Sequence, residues 1–214
     1  MAAGYWLFTP ANDDPNDLAL QFGGQLIPGA FGLRSNQVTS TIPGSNGLAN
    51  VHTTDPALLI IFGHGNHGAG IGSHKTHYGA ERMVNLLSDE GLSPQQMNLT
   101  IFLWACNSGV AMGRVILNKD PYAKRFAERL AESGFSHTRV IGVAGFISAG
   151  AKCTVLKYNM KTNNIDKNAS PRPPTDVTRQ IAYSVESGSA ARVSGGSWKS
   201  FLNPVSKICE ITGS

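Results

Sequence analysis

Three runs of consecutive apolar residues in the middle of the chain predict buried strands. Each is bounded by Pro, Gly or polar residues and is too short for a buried helix; they cover residues 58–62, 99–104 and 139–143. Apolar residues at helical spacing predict helices over residues 79–90 and 121–132, with Pro121 at the first position of the second. Shorter patterns predict a first strand at residues 5–8 and a last strand at residues 180–185. This alternation predicts an α/β fold with a mainly parallel central sheet.

The two ends of the chain show weaker patterns. Residues 11–50 are rich in Gly, Asn, Ser and Pro, so residues 1–50 are expected to be irregular with one hairpin. Residues 159–176 are polar and carry three prolines, which predicts a long loop that is also a candidate processing site. The length of 214 residues favours a single domain over residues 1–214.

Composition and charge narrow the classes of partner. Lys and Arg number 18 against 14 Asp and Glu, a net charge of +4, and these charges are scattered rather than clustered into a nucleic-acid-binding arm. No apolar run is long enough to cross a bilayer. The three cysteines are an odd number without a CxxC pair, which is typical of reduced thiols. We therefore expect a cytoplasmic protein, or an effector delivered into a host cytosol, with no nucleic-acid or membrane partner. The sequence does not determine the oligomeric state.

Two of the predicted strands end in residues that carry chemistry. His64 follows the first buried strand and Cys106 follows the second. Side chains that follow neighbouring parallel strands meet at one edge of the sheet. A thiolate is a nucleophile, and a nearby imidazole lowers the pKa of the thiol and protonates a leaving amine. The backbone N–H groups of Gly65 and Cys106 are the candidate donors to an oxyanion.

The two strand ends also resemble motifs of a known group of enzymes. HGNHG at residues 64–68 and ACNSG at residues 105–109 are similar to the His and Cys motifs of the caspase–hemoglobinase group (clan CD) of cysteine peptidases. The group includes legumain, clostripain and the self-cleaving protease domains of bacterial toxins, and the resemblance covers residues 56–145. It implies a caspase-like three-layer sandwich and a thiol protease with a Cys–His dyad and no essential third acid. Such a hydrolase would cleave a protein or peptide substrate, either by processing its own chain or by acting on other proteins as an effector.

Specificity and activation stay open at this point. An Arg- or Lys-specific relative needs an acid in its pocket, such as Asp166 or Asp176, and an Asp-specific one needs a base, such as Lys152 or Lys157. An apolar pocket is equally allowed. No cofactor is expected to be required. The lysines of the C-terminal third fit an anionic activator such as inositol hexakisphosphate, which switches on the toxin domains; they are Lys152, Lys157, Lys161 and Lys199.

Two other functions compete with the peptidase. The chain also fits a catalytically inactive caspase-like module that binds a peptide in the same cleft. Alternatively, a cluster of histidines has spacing suited to a zinc-dependent hydrolase, and its members are His64, His67, His74 and His77. Asp55 and Glu81 are the closest acids in sequence, and no cysteine completes a typical structural set, so we predict no metal site.

Overall fold

The fold is described by a computed structural model of the chain. It describes residues 4–11, 13–15, 17–66, 70–94, 98–111, 120–147, 155–156, 158–159, 164–165, 170, 180–186 and 188–193. The helices are α1 (Leu18–Ala30), α2 (Ala80–Asp89) and α3 (Tyr122–Glu132). The strands are β1 (Gly4–Phe8), β2 (Val38–Thr41), β3 (Ala57–Phe62), β4 (His64–Asn66), β5 (Gly70–Gly72), β6 (His77–Tyr78), β7 (Leu99–Trp104), β8 (Thr138–Val143), β9 (Phe146–Ile147), β10 (Val155–Leu156), β11 (Tyr158–Asn159), β12 (Asn164–Ile165), β13 (Gln180–Glu186) and β14 (Ser189–Arg192).

A seven-stranded sheet forms the centre of the described structure. Its strand order is β14-β13-β8-β7-β3-β1-β2. The five strands from β2 to β8 in this order run parallel to one another, and β13 and β14 close one side in antiparallel pairing. The central strands β3 and β7 have nearly every side chain buried, as their continuous apolar sequences require. The mixed α/β class with a mostly parallel sheet is therefore confirmed.

Helices cover both faces of this sheet. Side chains alternate between the faces of each strand, so Trp6 and Phe8 pack with α2 and α3, whereas Tyr5 and Leu7 pack with α1. The apolar stripes of α2 and α3 supply the larger core cluster, including Met83 and Leu87. The result is three layers, with the carboxyl ends of β3 and β7 at one open edge of the middle layer.

The predicted elements of the middle of the chain are confirmed to within a few residues. Pro121 is the N-cap of α3 rather than its first helical residue. Both α2 and α3 end beside a glycine with positive φ, Gly91 at 91° and Gly134 at 86°, a backbone conformation that glycine adopts without strain.

The prediction of an irregular N-terminal region with one hairpin is wrong. Residues 18–30 form α1, and β2 pairs parallel with β1 rather than in a hairpin. Asp17 caps α1, and the buried Ile27 and Phe31 hold it against the sheet. The predicted loop 159–176 lies largely outside the described residues. Within the described part of the chain, every helix falls short of the length and apolar character that a bilayer crossing requires.

Candidate active site

The backbone brings His64 and Cys106 to the same edge of the sheet. β3 and β7 are adjacent and parallel, with Phe62 paired to Trp104, and His64 and Cys106 each come two residues after this pair. Gly65 packs directly against the Cys106 peptide: a Cβ built on Gly65 would lie 2.9 Å from the Cys106 nitrogen and would overlap its carbonyl oxygen. The chain therefore needs glycine beside the cysteine, and the predicted meeting of the two strand ends is present.

The turn after β7 holds the cysteine in place. Asn107 has a φ of 54°, and its N–H donates to Gly145 O at 2.8 Å. The Ser108 hydroxyl donates to Leu103 O at 2.9 Å and accepts from the Val143 N–H at 2.9 Å. Ser108 is fully enclosed, so these bonds tie the turn to both β7 and β8. The Cys106 backbone is thus fixed by the two strands that flank it.

Cys106 is partly buried. Its Sγ accepts a hydrogen bond from the Ile147 N–H at 3.3 Å. Burial raises the pKa of the thiol, and the Ile147 N–H lowers it by a smaller amount. Among the hydrogen bonds of the described residues, none joins this thiol to His64. The pKa lowering that the sequence predicts is not seen, because the effect of burial outweighs that of the neighbouring groups.

His64 is held by a carboxylate that the sequence did not indicate. Its Nε2 lies 2.9 Å from Asp17 Oδ2 and 3.1 Å from Oδ1. Asp17 is 4% exposed, and it also accepts from the Leu20 N–H at 3.2 Å as the N-cap of α1. Burial raises the pKa of Asp17, but the hydrogen bonds from His64 and Leu20 act in the opposite direction, and the net shift of the pKa is downward. Asp17 is therefore an ionised acceptor, and His64 carries its proton on Nε2.

His74 stacks on His64 and faces the same carboxylate. The ring centroids are 3.9 Å apart with an interplanar angle of 24°, and His74 Nε2 lies 4.0 Å from Asp17 Oδ2. His77, on β6, is half-buried, and burial followed by the charges of His64 and His74 lowers its pKa. A cluster of histidines is thus present at this edge.

The acids that are closest in sequence do not join the histidine cluster. Asp55 lies at the opposite end of β3, where it accepts from the Asn98 side chain at 3.1 Å. Glu81 lies in the first turn of α2. Among the residues that the structure describes, the group able to hold a metal ion is Asp17, His64 and His74. The carboxylate of this group comes from the region expected to be irregular.

The two predicted oxyanion donors lie side by side. Gly65 belongs to β4 opposite Ile71, and its α-carbon faces the Cys106 peptide. Cys106 itself lies in the turn after β7, where no backbone acceptor within the described ranges takes its N–H. The Gly65 α-carbon therefore lies against the Cys106 peptide, and the role of the two N–H groups as donors stays a prediction.

Several predicted residues fall outside the described part of the chain. They include His67 of the histidine motif and the residues considered for specificity or activation, which are Lys152, Lys157, Lys161, Asp166, Asp176 and Lys199. Cys153 and Cys209 are also outside it. The described residues therefore include the sheet edge with His64 and Cys106 but none of the residues considered for a specificity pocket.

Comparison with known proteins adds no relative. No protein-family model matches the chain, and no curated protein matches it significantly. Its function therefore has to be argued from the site and from the two motifs.

Proposed function

We propose that this protein is a cysteine endopeptidase with a caspase-like sandwich, in which Cys106 is the nucleophile and His64 the general acid and base. The observation that carries the proposal is the placement of both residues just after two adjacent, paired central strands. Gly65 packs against the Cys106 peptide, so the two motifs form one continuous edge. The substrate class is a protein or peptide, as the resemblance of the two motifs to cysteine peptidases implies, and the leaving group is then the amine of the scissile peptide bond.

The proposed reaction follows from the proton positions. His64 Nε2–H donates to Asp17, so the lone pair on Nδ1 is the site that accepts the thiol proton. As Nδ1 takes this proton, Sγ attacks the scissile carbonyl carbon and the C=O π electrons move to oxygen. The tetrahedral species collapses to a thioester, and the leaving amine takes the proton from Nδ1. Water then hydrolyses the thioester by the same route and restores the thiol.

Asp17 extends the proposed dyad to a third residue. The hydrogen bond to Asp17 fixes the tautomer of neutral His64, and the carboxylate would stabilise the imidazolium that forms when the thiol loses its proton. The resemblance implies no essential third acid, so this role is an addition that comes from the geometry of the site. Asp17 is a positioning residue, since its carboxylate touches His64 and not the reacting atoms.

One observation favours the inactive peptide-binding module as the second candidate. The Cys106 thiol bonds to the Ile147 N–H, and burial raises its pKa. A binding module has no need of a reactive thiol, whereas an enzyme with this arrangement relies on His64 to remove the proton during attack. Catalytic hydrogen bonds are often long or absent in free enzymes and tighten only with substrate, so we place the peptidase first.

The proposal is tested by incubating a proteome-derived peptide library with the full chain. New peptide ends are then mapped by mass spectrometry for the wild type, Cys106→Ala and His52→Ala. His52 is exposed on a short turn before β3 and serves as the control. We expect wild type and His52→Ala to generate the same ends and Cys106→Ala to generate none. Cleavage that persists in Cys106→Ala would rule out the peptidase, and binding of peptides without cleavage would support the module.

A further inference from the structure

Three side-chain atoms of the kinds that bind metal ions lie close together, and one of them belongs to His64, the proposed catalytic base. The Asp17 carboxylate and one ring nitrogen each of His64 and His74 all lie within 4.8 Å of one another. Two of these separations are 2.9 Å, from His64 Nε2 to Asp17 Oδ2, and 4.0 Å, from His74 Nε2 to the same oxygen. Zn²⁺ bonds to imidazole nitrogen and carboxylate oxygen at about 2.0–2.2 Å, so a tetrahedral ion sets its ligand atoms about 3.4 Å apart. Small side-chain movements bring all three atoms onto one ion.

The two segments that carry these ligands are tied together. His74 lies in the turn between β5 and β6, where the buried Ser73 hydroxyl accepts from the Lys75 and Thr76 N–H groups at 3.0 and 2.9 Å. Thr76 Oγ1 donates to Asp13 Oδ2 at 2.6 Å, and Lys75 Nζ lies 3.5 Å from Asp14 Oδ1. The turn bearing His74 is thus fastened to the segment that leads into Asp17.

The three side chains differ in how far solvent reaches them, and the His64 side chain is 27% exposed. The Asp17 side chain is 1% exposed, whereas the His74 side chain is 67% exposed. An ion can therefore approach past His74 and reach a buried carboxylate. Two histidines and one carboxylate leave a fourth position for water, a set that Zn²⁺ uses in proteins.

We propose that Asp17, His64 and His74 bind Zn²⁺ and that this ion switches the peptidase off. The proposal rests on the proposed function for its inhibitory half only. In the ion-free site the His64 proton is on Nε2 and Nδ1 is the base. When Nε2 coordinates Zn²⁺, the proton of the neutral ring moves to Nδ1, with no net proton released. Nδ1 then has no lone pair to accept the Cys106 proton, and Asp17 no longer holds the productive tautomer.

Zinc binding is measured first, independently of any activity. Full-length wild type, His74→Ala, Asp17→Asn and the control His52→Ala compete for Zn²⁺ with a chromogenic chelator. We expect one ion per wild-type chain and unchanged affinity for His52→Ala. His74→Ala should bind at least about 100-fold more weakly, since losing even an outer-shell partner costs about 10–100-fold in metal affinity. His74 is exposed, so its loss leaves the fold intact, and Asp17→Asn keeps an acceptor for the Leu20 N–H while removing the charge.

The switch is measured by the rate at which an alkylator labels Cys106. Saturating Zn²⁺ should slow wild-type labelling at least about tenfold, the effect of removing a general base, and a chelator should restore it. The same Zn²⁺ concentration should leave His74→Ala unaffected, which excludes direct capture of the thiol. Equal zinc affinity in wild type and His74→Ala would overturn the site. Zinc that binds and accelerates labelling or cleavage would overturn the switch. If Cys106 proves unreactive even with chelator, the peptidase fails while the affinity series still decides the metal site.

Discussion

Asp17 determines which nitrogen of His64 is able to act as a base. Its carboxylate only accepts hydrogen bonds while ionised, so the imidazole proton is held on Nε2. The lone pair is then on Nδ1, the ring nitrogen that is not bonded to the carboxylate. One buried side chain thus links the cap of α1 to the proton chemistry proposed at the sheet edge.

Removing the Asp17 charge should slow the proposed chemistry without unfolding the protein. Asp17→Asn still accepts from the Leu20 N–H, but its amide no longer requires the proton on Nε2. We expect the labelling rate of Cys106 to fall at least about tenfold, within the range that general-base catalysis contributes. Asp120→Asn is the matched control, because Asp120 is exposed and pairs with Lys124 of α3, away from the site. Equal labelling rates in wild type and Asp17→Asn would show that the carboxylate has no positioning role.

Asp17 should also make the stability of the fold depend on pH. Its pKa in the folded chain is below the usual value of 3.8, so the folded state binds this proton more weakly than the unfolded state. The stabilisation is therefore fully present above the unfolded pKa and is lost as the pH falls through the folded pKa. Urea unfolding at neutral pH and at about pH 3 measures this loss. We expect a smaller drop for Asp17→Asn than for wild type, and an identical drop would contradict the ion pair.

At the scale of elements, the site depends on how closely β4 approaches the turn after β7. The contact is made by backbone on both sides, with Gly65 against the Cys106 peptide. Ser108 and Asn107 fix the turn from its other side through β8 and the residue Gly145. Neither segment has a flexible side chain that is able to yield at the contact.

Gly65→Ala should therefore damage the site. The added Cβ would lie 2.9 Å from the Cys106 nitrogen and would overlap its carbonyl oxygen, so the backbone has to move. We expect Cys106 labelling to fall to the level of a chain without His64. Gly29→Ala is the control, since its Cβ meets nothing within 4 Å and alanine is favoured over glycine in helices by about 0.5–1 kcal/mol. Unchanged labelling in Gly65→Ala would mean that the two segments do not pack as described.

Glu90 connects the end of α2 to the segment before β3. Glu90 is 3% exposed, and its carboxylate accepts from the N–H groups of Gly44, Ser45 and Asn46. Hydrogen bonds to a charged group contribute about 1.5–3 kcal/mol each at most in mutant series, and these three share one carboxylate. These hydrogen bonds anchor the loop between β2 and β3 to the end of α2.

Glu90→Ala should lower the free energy of unfolding by about 1.5–3 kcal/mol, since it removes charge-assisted bonds at a buried position. Glu132→Ala is the control, because Glu132 is exposed and pairs with Arg129 on the surface of α3. Exposed pairs contribute about 0–1 kcal/mol. Urea unfolding compares the two variants, and an equal effect would remove the anchoring role of Glu90.

At the scale of the whole molecule, the sheet was predictable and the N-terminal layer was not. The strands β3, β7 and β8 are continuous apolar runs, so their positions and burial are visible in the sequence. The helix α1 contains Pro28 and three glycines, residues that indicate turns when read locally. Packing of Ile27 and Phe31 against the sheet outweighs those local preferences.

The candidate site divides in the same way. His64 and Cys106 follow recognisable strands, so their shared edge was predictable on the condition that the two strands are neighbours, as β3 and β7 are. The partner of His64 lies 47 positions earlier in the chain, and no periodic pattern reports a contact at that separation. Asn16 and Asp17, which precede Leu18, are residue types that favour a helix N-cap. This signal indicates where α1 begins, but it does not indicate that the Asp17 carboxylate contacts an imidazole.

The most direct test of the account is the rate at which a mild alkylator labels Cys106 at neutral pH. The modified cysteine is mapped by mass spectrometry in metal-free wild type, His64→Ala and the control His52→Ala. Burial raises the pKa of this thiol, so rapid labelling requires a base that removes its proton. We predict that wild type and His52→Ala react at least about tenfold faster than His64→Ala. Equal rates in all three proteins would contradict the pairing of His64 with Cys106 and leave the peptide-binding module in its place.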